Sequence, residues 1–350
     1  MLQIPFRPAN GVLLSWACDM KKFGACAALL LNSALSPALG AERAEIPITQ
    51  IQGFNGRAYY FIQVSVGGST PFRALLDTGS TGLRLLPGAI GDGDAVLTDR
   101  TSSYGYGTGS QFTGKIARGV VEIGGLRTTV PVTMMLIDSV GCRSNQPSCP
   151  ASGHTAEDFD FAEESGIPNP KRARIGISLA KSDADNPLEK FGNGAWIVDL
   201  PLPGETAPGR LIINPTPGDE AAFTRLRADP EKGTVKSCVS NHTDSVCGHF
   251  FPDTGGNGLV VRARQRPASF PWPNGASAVL TLQDDRSTDL NIDFTLKHVP
   301  GDPANLHWSP GNAPEPVLSG SYPFFKYSIL FDAVHHELGF KPRSSDKKPE

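Results

Sequence analysis

The sequence is short of charge. Only 19% of its 350 residues are Asp, Glu, Lys or Arg, and the formal net charge is −3, where an average soluble domain is about a quarter charged. No Ala/Glu/Lys/Leu-rich stretch repeats at helical or heptad spacing, which excludes a coiled coil or a helical bundle. The basic excess with which a nucleic-acid binder displaces counterions is missing, so no nucleic-acid partner is expected. There is no Gly-x-Ser-x-Gly and hence no nucleophile elbow. There is no P-loop and no dinucleotide fingerprint; the glycines around Gly105 to Gly109 do not precede a helical pattern.

Cysteine is also scarce, and its placement is informative once the N-terminus is read. Met20-Lys21-Lys22 is followed by the uncharged stretch Phe23 to Leu39 and then by Gly40-Ala41-Glu42. That order describes a secretory signal peptide. The stretch is short for a membrane span and is interrupted by Asn32, Ser33, Ser36 and Pro37. Residues 1–40 are therefore expected to be a leader, with Met20 as the true start and Ala38 and Gly40 flanking the cleavage site. The mature chain, from Ala41, is expected in a periplasm or outside the cell, with no membrane span. It keeps Cys142, Cys149, Cys238 and Cys247. An even number in an exported chain reads as disulfides, with three possible connectivities. The local pairs Cys142–Cys149 and Cys238–Cys247 are preferred because each brackets a short polar loop. Neither spacing is that of a zinc knuckle. His335-His336-Glu337 reads as a solvated turn after a strand, so no metal is expected.

What the chain has in quantity is Gly (38) and Pro (30). Between these breakers lie period-2 or β-branched runs: Tyr59 to Val66, Phe72 to Leu76, Lys115 to Ile123, Thr128 to Ile137, Arg210 to Ile213, Gly248 to Phe251, Leu259 to Arg262, Ala278 to Leu282, Leu290 to Leu296 and Tyr327 to Phe331. These are strand signals. Helix candidates are few, Thr155 to Gly166 and Glu220 to Ala228. The fold class is all-β, with too many strands for one small sandwich. Pro267 to Pro273, with Phe270 and Trp272, reads as a packed loop rather than a substrate subsite.

One motif occurs twice. Leu75-Leu76 precedes Asp77-Thr78-Gly79, and Phe250-Phe251-Pro252 precedes Asp253-Thr254-Gly255, 176 residues later. Duplication at half-chain spacing predicts two similar lobes that each lend one loop to a shared cleft. Gly79 and Gly255 permit the tight turn and the threonines can lock it. Two carboxylates held a few ångströms apart cannot both ionise, so they share a proton. Such a pair can activate a water while protonating a carbonyl oxygen, which is amide hydrolysis without metal or covalent intermediate.

Together these segments resemble the pepsin-like (A1-type) aspartic peptidases, over about Tyr59 to Phe340. Tyr59 to Ser80 is similar to that family's first hairpin and catalytic loop. Tyr106-Gly107-Thr108-Gly109-Ser110 is similar to its flap tip, and Gly320 to Phe340 to its closing segment. Cys247 resembles the cysteine of the small disulfide before the second loop. The resemblance implies a bilobal fold with the cleft between two β-barrel-like lobes. The N-terminal lobe would span 41–200 and the C-terminal lobe 201–341, with a polar tail at 342–350. It also implies an aspartic endopeptidase with catalytic Asp77 and Asp253, acting on an extended polypeptide as a monomer and needing no cofactor. Thr78, Gly79, Ser80, Thr254, Gly255 and Gly256 would support the pair. Tyr106, Gly107 and Thr108 would cover the substrate, with Tyr104 the competitor for the flap tyrosine. The run Asp77 to Leu86, with Asn186-Pro187-Leu188 and Ile197 to Pro201, is also similar to a bacterial group of pepsin-like proteins carried as a domain of unknown function. The chain departs from the family in four places. Thr81-Gly82-Leu83-Arg84 replaces Ser-Asn-Leu-Trp, removing the tryptophan that supports the flap. Gly256 replaces a hydroxyl residue, so Asp253 lacks the donor that Ser80 offers Asp77, and a weakly acidic optimum is expected. Pro252 directly precedes Asp253, and Ser319 interrupts the apolar pair before Gly320. These departures support an alternative, a non-catalytic pepsin-like binding or scaffold protein.

Overall fold

The computed structural model describes residues 41–53, 56–162, 172–202, 205–256, 258–311 and 313–343. The expected leader and most of the polar tail lie outside them. Among the described residues there are 22 strands and two short 3-10 turns, Pro187–Lys190 and Tyr322–Phe325, so the chain is all-β. No helix among them is long and apolar enough to cross a membrane. Both helix expectations are corrected. Glu220 to Ala228 contains the strand Thr224–Arg227, whose partner Glu337–Pro342 supplies the backbone bonds that an isolated helix would have to make internally. Residues 155–162 form turns, and 163–166 lie outside the described residues.

The strands form a 15-stranded and a 7-stranded sheet. Alternation explains the half-covered ones. In Ser110–Gly119, Ser110, Phe112, Gly114 and Ile116 are buried while Gln111, Thr113 and Lys115 are exposed. Central strands are apolar on both faces, as in Phe72–Asp77, where Ala74, Leu75 and Leu76 are all buried. The larger sheet draws on both halves of the chain. Ala195–Asp199 lies between Gly209–Ile213 and Tyr327–Asp332, and Trp196 stacks on Phe331 at 5.7 Å.

The sequence repeat has a topological counterpart. In the larger sheet Phe72–Asp77 runs antiparallel to Ala58–Val66 and parallel to Ala173–Ile177. That last strand is antiparallel to Thr81–Leu85, itself parallel to Val132–Cys142. In the smaller sheet Ser245–Pro252 runs antiparallel to Val235–Ser240 and parallel to Val317–Gly320. That strand is antiparallel to Leu259–Ala263, itself parallel to Leu306–Pro310. Each Asp-Thr-Gly loop thus straddles a strand that arrives later in the chain. The straddled strand needs glycine where the loop crosses it: a Cβ on Gly176 would sit 2.6 Å from the Ser80 carbonyl carbon, and one on Gly320 would clash with the Gly258 carbonyl oxygen.

Both local disulfides are present. Cys142–Cys149 ties the end of Val132–Cys142 to the loop that follows. Cys238–Cys247 joins directly opposed residues of Val235–Ser240 and Ser245–Pro252. Phe270 and Trp272 are buried, and Phe270 packs against Trp308 at 6.1 Å. His335 lies in the hairpin turn after Tyr327–Asp332 and bonds Asp332 through Nδ1 at 2.8 Å.

Candidate active site

The two Asp-Thr-Gly loops meet through a reciprocal set of hydrogen bonds. The Thr78 amide donates to Thr254 Oγ1 (3.1 Å) and the Thr254 amide to Thr78 Oγ1 (2.9 Å). The Thr78 hydroxyl donates to the carbonyl of Pro252 (2.9 Å) and the Thr254 hydroxyl to that of Leu76 (2.8 Å). Those carbonyls belong to the residues just before Asp253 and Asp77, so each threonine fixes the other loop's aspartate at its backbone. Both threonines are buried, so all four bonds are sheltered from water.

The geometry brings the carboxylates together. A Cβ on Gly255 would stand 3.0 Å from Asp77 Oδ1 and 3.1 Å from Asp253 Oδ1. The two oxygens are therefore no more than about 6 Å apart, close enough for their charges to interact strongly. A Cβ on Gly79 would strike Asp253 Oδ1. Glycine at both positions is what lets each loop approach the opposite carboxylate.

The pair is unequal. Asp77 receives the Gly79 amide (2.9 Å), the Ser80 hydroxyl (2.7 Å) and Arg174 Nη1 (3.4 Å). Asp253 has the Gly255 amide near it, and Gly256 offers no hydroxyl. Burial, reinforced by the charge of Asp77, pushes Asp253 up to about 7 against the opposing pull of Arg57 and Arg174. The donors that favour a carboxylate thus converge on Asp77, while burial and the neighbouring charge favour the protonated form of Asp253.

Asp77 and Asp253 open into a cavity of about 420 Å³. Gly79, Gly255, Gly256, Tyr106, Gly107 and Thr108 also line it, whereas Thr78, Ser80 and Thr254 stand behind it as braces. The hairpin of Val96–Gly105 and Ser110–Gly119 carries residues 106–109 at its tip, closed by the Tyr106 amide on the Ser110 carbonyl (2.8 Å). Tyr106 is buried, edge-on to Phe112 at 5.3 Å. Tyr104 is not part of the lining; the buried Arg84 guanidinium lies 3.4 Å over its ring and 5.9 Å from that of Tyr106. Arg84 also donates to the carbonyl of Thr81 at 2.8 Å. Arg84, the residue expected to leave the hairpin without an aromatic support, thus makes a cation–π contact with Tyr104.

Sequence reasoning missed three cavity arginines, Arg57, Arg174 and Arg262. Arg174 lies 4.2 Å from the Tyr106 ring centroid, and Arg57 donates to the carbonyl of Gly255. The available signal was a charged residue inside an otherwise apolar strand, Ala173–Ile177. Tyr59, Phe161, Phe251 and Trp308 complete an apolar wall. Among the described residues no three His, Cys, Asp or Glu side chains cluster as metal ligands. A larger cavity of about 650 Å³ lies by Asp199 and Phe223, where Asp199 pairs with Arg210 (3.0 Å) and Arg343 (3.3 Å). No known family model matches the chain, and no curated protein matches it significantly.

Proposed function

We propose that this protein is an exported, pepsin-like aspartic endopeptidase with a bilobal fold. The observation that carries this reading is the pair of threonine-locked loops presenting Asp77 and Asp253 to one cavity with unequal donor sets. A water held by the Asp77 carboxylate gives it a proton as its oxygen attacks the scissile carbonyl carbon. Asp253 passes its own proton to the carbonyl oxygen; the tetrahedral diol then collapses as Asp77 gives its proton to the leaving nitrogen and Asp253 takes one back from a diol hydroxyl. Tyr106 and the hairpin tip exclude bulk water, and the substrate lies extended along the cavity, adding main-chain hydrogen bonds as a further strand. The two disulfides support an oxidising compartment.

The test is proteolysis of denatured casein between pH 3 and 7, with and without pepstatin. Pepstatin-sensitive products are expected, and Asp77→Asn is expected to abolish them while leaving the circular dichroism spectrum unchanged. One observation favours a second reading. Arg174 lies 3.4 Å from Asp77 Oδ2, where it competes with water for the would-be base. A non-catalytic scaffold that binds a peptide or envelope component would produce no cleavage products at any pH in that range.

A further inference from the structure

We propose that Arg262 is a specificity-determining residue that selects polypeptide segments carrying an acidic side chain next to an apolar one. The inference rests on the cavity being a peptide-binding site, the reading given above. Of the three arginines in the cavity, Arg57 is engaged with the Gly255 carbonyl and the Tyr59 ring, and Arg174 with Asp77, Tyr106 and Phe161. Arg262 is different. It projects from Leu259–Ala263, the strand that follows the Asp253 loop. Its one hydrogen bond among the described residues runs from Nη2 to the Gly107 carbonyl at the hairpin tip, at 3.4 Å. Arg262 forms no ion pair among those residues; burial, with Arg143 nearby, disfavours its charge, and Asp253 partly offsets this.

The place of this guanidinium is built by two glycines. A Cβ on Gly107 would lie 2.7 Å from Arg262 Nη2, and one on Gly311 would lie 2.6 Å from its Cγ. The cation is thus held between the tip of one sheet's hairpin and the wall of the other, half-buried, with donors to spare. Such a group is costly to leave unpaired and is matched by a carboxylate, which accepts two of its N–H groups side by side. Phe251 and Trp308 beside it suit a neighbouring aliphatic or aromatic side chain. A basic residue brought to the same place would meet like charge from Arg262 and Arg174, which discriminates against it.

The experiment uses octapeptides with a central Phe-Leu and a fluorescent label, in which Glu or Gln is placed in turn at each flanking position. Binding is measured at pH 6 to the Asp77→Asn protein by anisotropy. At one position Glu is expected to bind roughly tenfold more tightly than Gln, an advantage that falls with added salt. Arg262→Met, which keeps the apolar stem, is expected to erase that advantage, and Arg262→Lys to restore part of it. In the protein with Asp77 intact, Arg262→Met should raise KM for the Glu peptide several-fold more than for the Gln peptide. Equal binding of Glu and Gln at every position, or a preference that survives Arg262→Met, overturns the proposal. If no peptide is cleaved but the Asp77→Asn protein still prefers Glu through Arg262, hydrolysis fails as a function and acidic-peptide recognition stands.

Discussion

At the scale of single residues, Gly256 is where this site departs most from symmetry. Ser80 donates to Asp77, and the corresponding position beside Asp253 has only hydrogen. A Cβ on Gly256 would lie 3.0 Å from Asp253 Oδ2, so the carboxylate must give slightly, after which a serine hydroxyl is within reach of it. Gly256→Ser should therefore favour the ionised form of Asp253 and lower its pKa. Activity that depends on a protonated Asp253 then fails at lower pH, and the alkaline limb of the kcat/KM profile moves toward acid. An unmoved limb in Gly256→Ser would show that Asp253 is not the group titrating. The two aspartates and their threonines were legible in the sequence because Asp-Thr-Gly is a local pattern and its two copies are spaced by half the chain. Arg174 and Arg262 were not singled out, because an arginine is drawn into a cleft by its neighbours in space; the apolar residues around Arg174 mark it as buried without saying what it faces.

At the scale of elements, the braces between loops are worth more than their count. Thr78→Ala leaves the Thr254 amide without its acceptor and the Pro252 carbonyl without its donor, all in a buried setting. Each orphaned group costs about 1–3 kcal/mol, so Thr78→Ala should lose several kcal/mol in urea unfolding while Thr78→Ser loses far less. Thr254→Ala removes the partner of the same network, so the double variant should cost clearly less than the sum of the two. The hairpin depends on its own fastening. The Arg143 amide donates to the Gly109 carbonyl at 2.9 Å, and the Cys142–Cys149 bond holds that segment. Replacing both cysteines with serine should cost roughly 2–3 kcal/mol by the loop-entropy argument. It should also raise KM more than it lowers kcat, since the tip covers the cavity. Half of the strands overlapped runs legible in the sequence, as in Ala278 to Leu282 within Ser277–Gln283, where the apolar residues alternate. Val96–Gly105 did not, because it is largely exposed and polar and so has no apolar face to repeat. Thr81–Leu85 and Ala195–Asp199 did not either, because both faces are covered and the period disappears.

At the scale of the whole molecule, two sets of carboxylates bound the pH range of stability. Burial alone would raise Asp284, but bonds from the Arg227, Arg286 and Thr288 amides and the Arg286 guanidinium outweigh it and hold the group down to about 2. A carboxylate lowered on folding contributes stability above its unfolded value of about 4, and loses it as pH falls toward 2. Asp253 acts in the opposite sense. Raised on folding, it contributes stability that is fully present below its unfolded value of about 4 and is lost as pH rises from there through about 7. The midpoint of thermal unfolding should therefore peak at about pH 4, falling below it toward pH 2 and above it toward pH 7. Asp284→Asn should flatten the acid side and Asp253→Asn the alkaline side. A midpoint that is flat with pH in the unaltered protein would contradict both assignments.

The strand order also bears on synthesis. Val317–Gly320 must slot between Ser245–Pro252 and Leu259–Ala263, and Tyr327–Asp332 must reach Ala195–Asp199, before either sheet is whole. A ribosome has to release almost all of the described chain before the last neighbours arrive. Until then each sheet keeps an open strand edge, and the last strands to be made are the ones that close it.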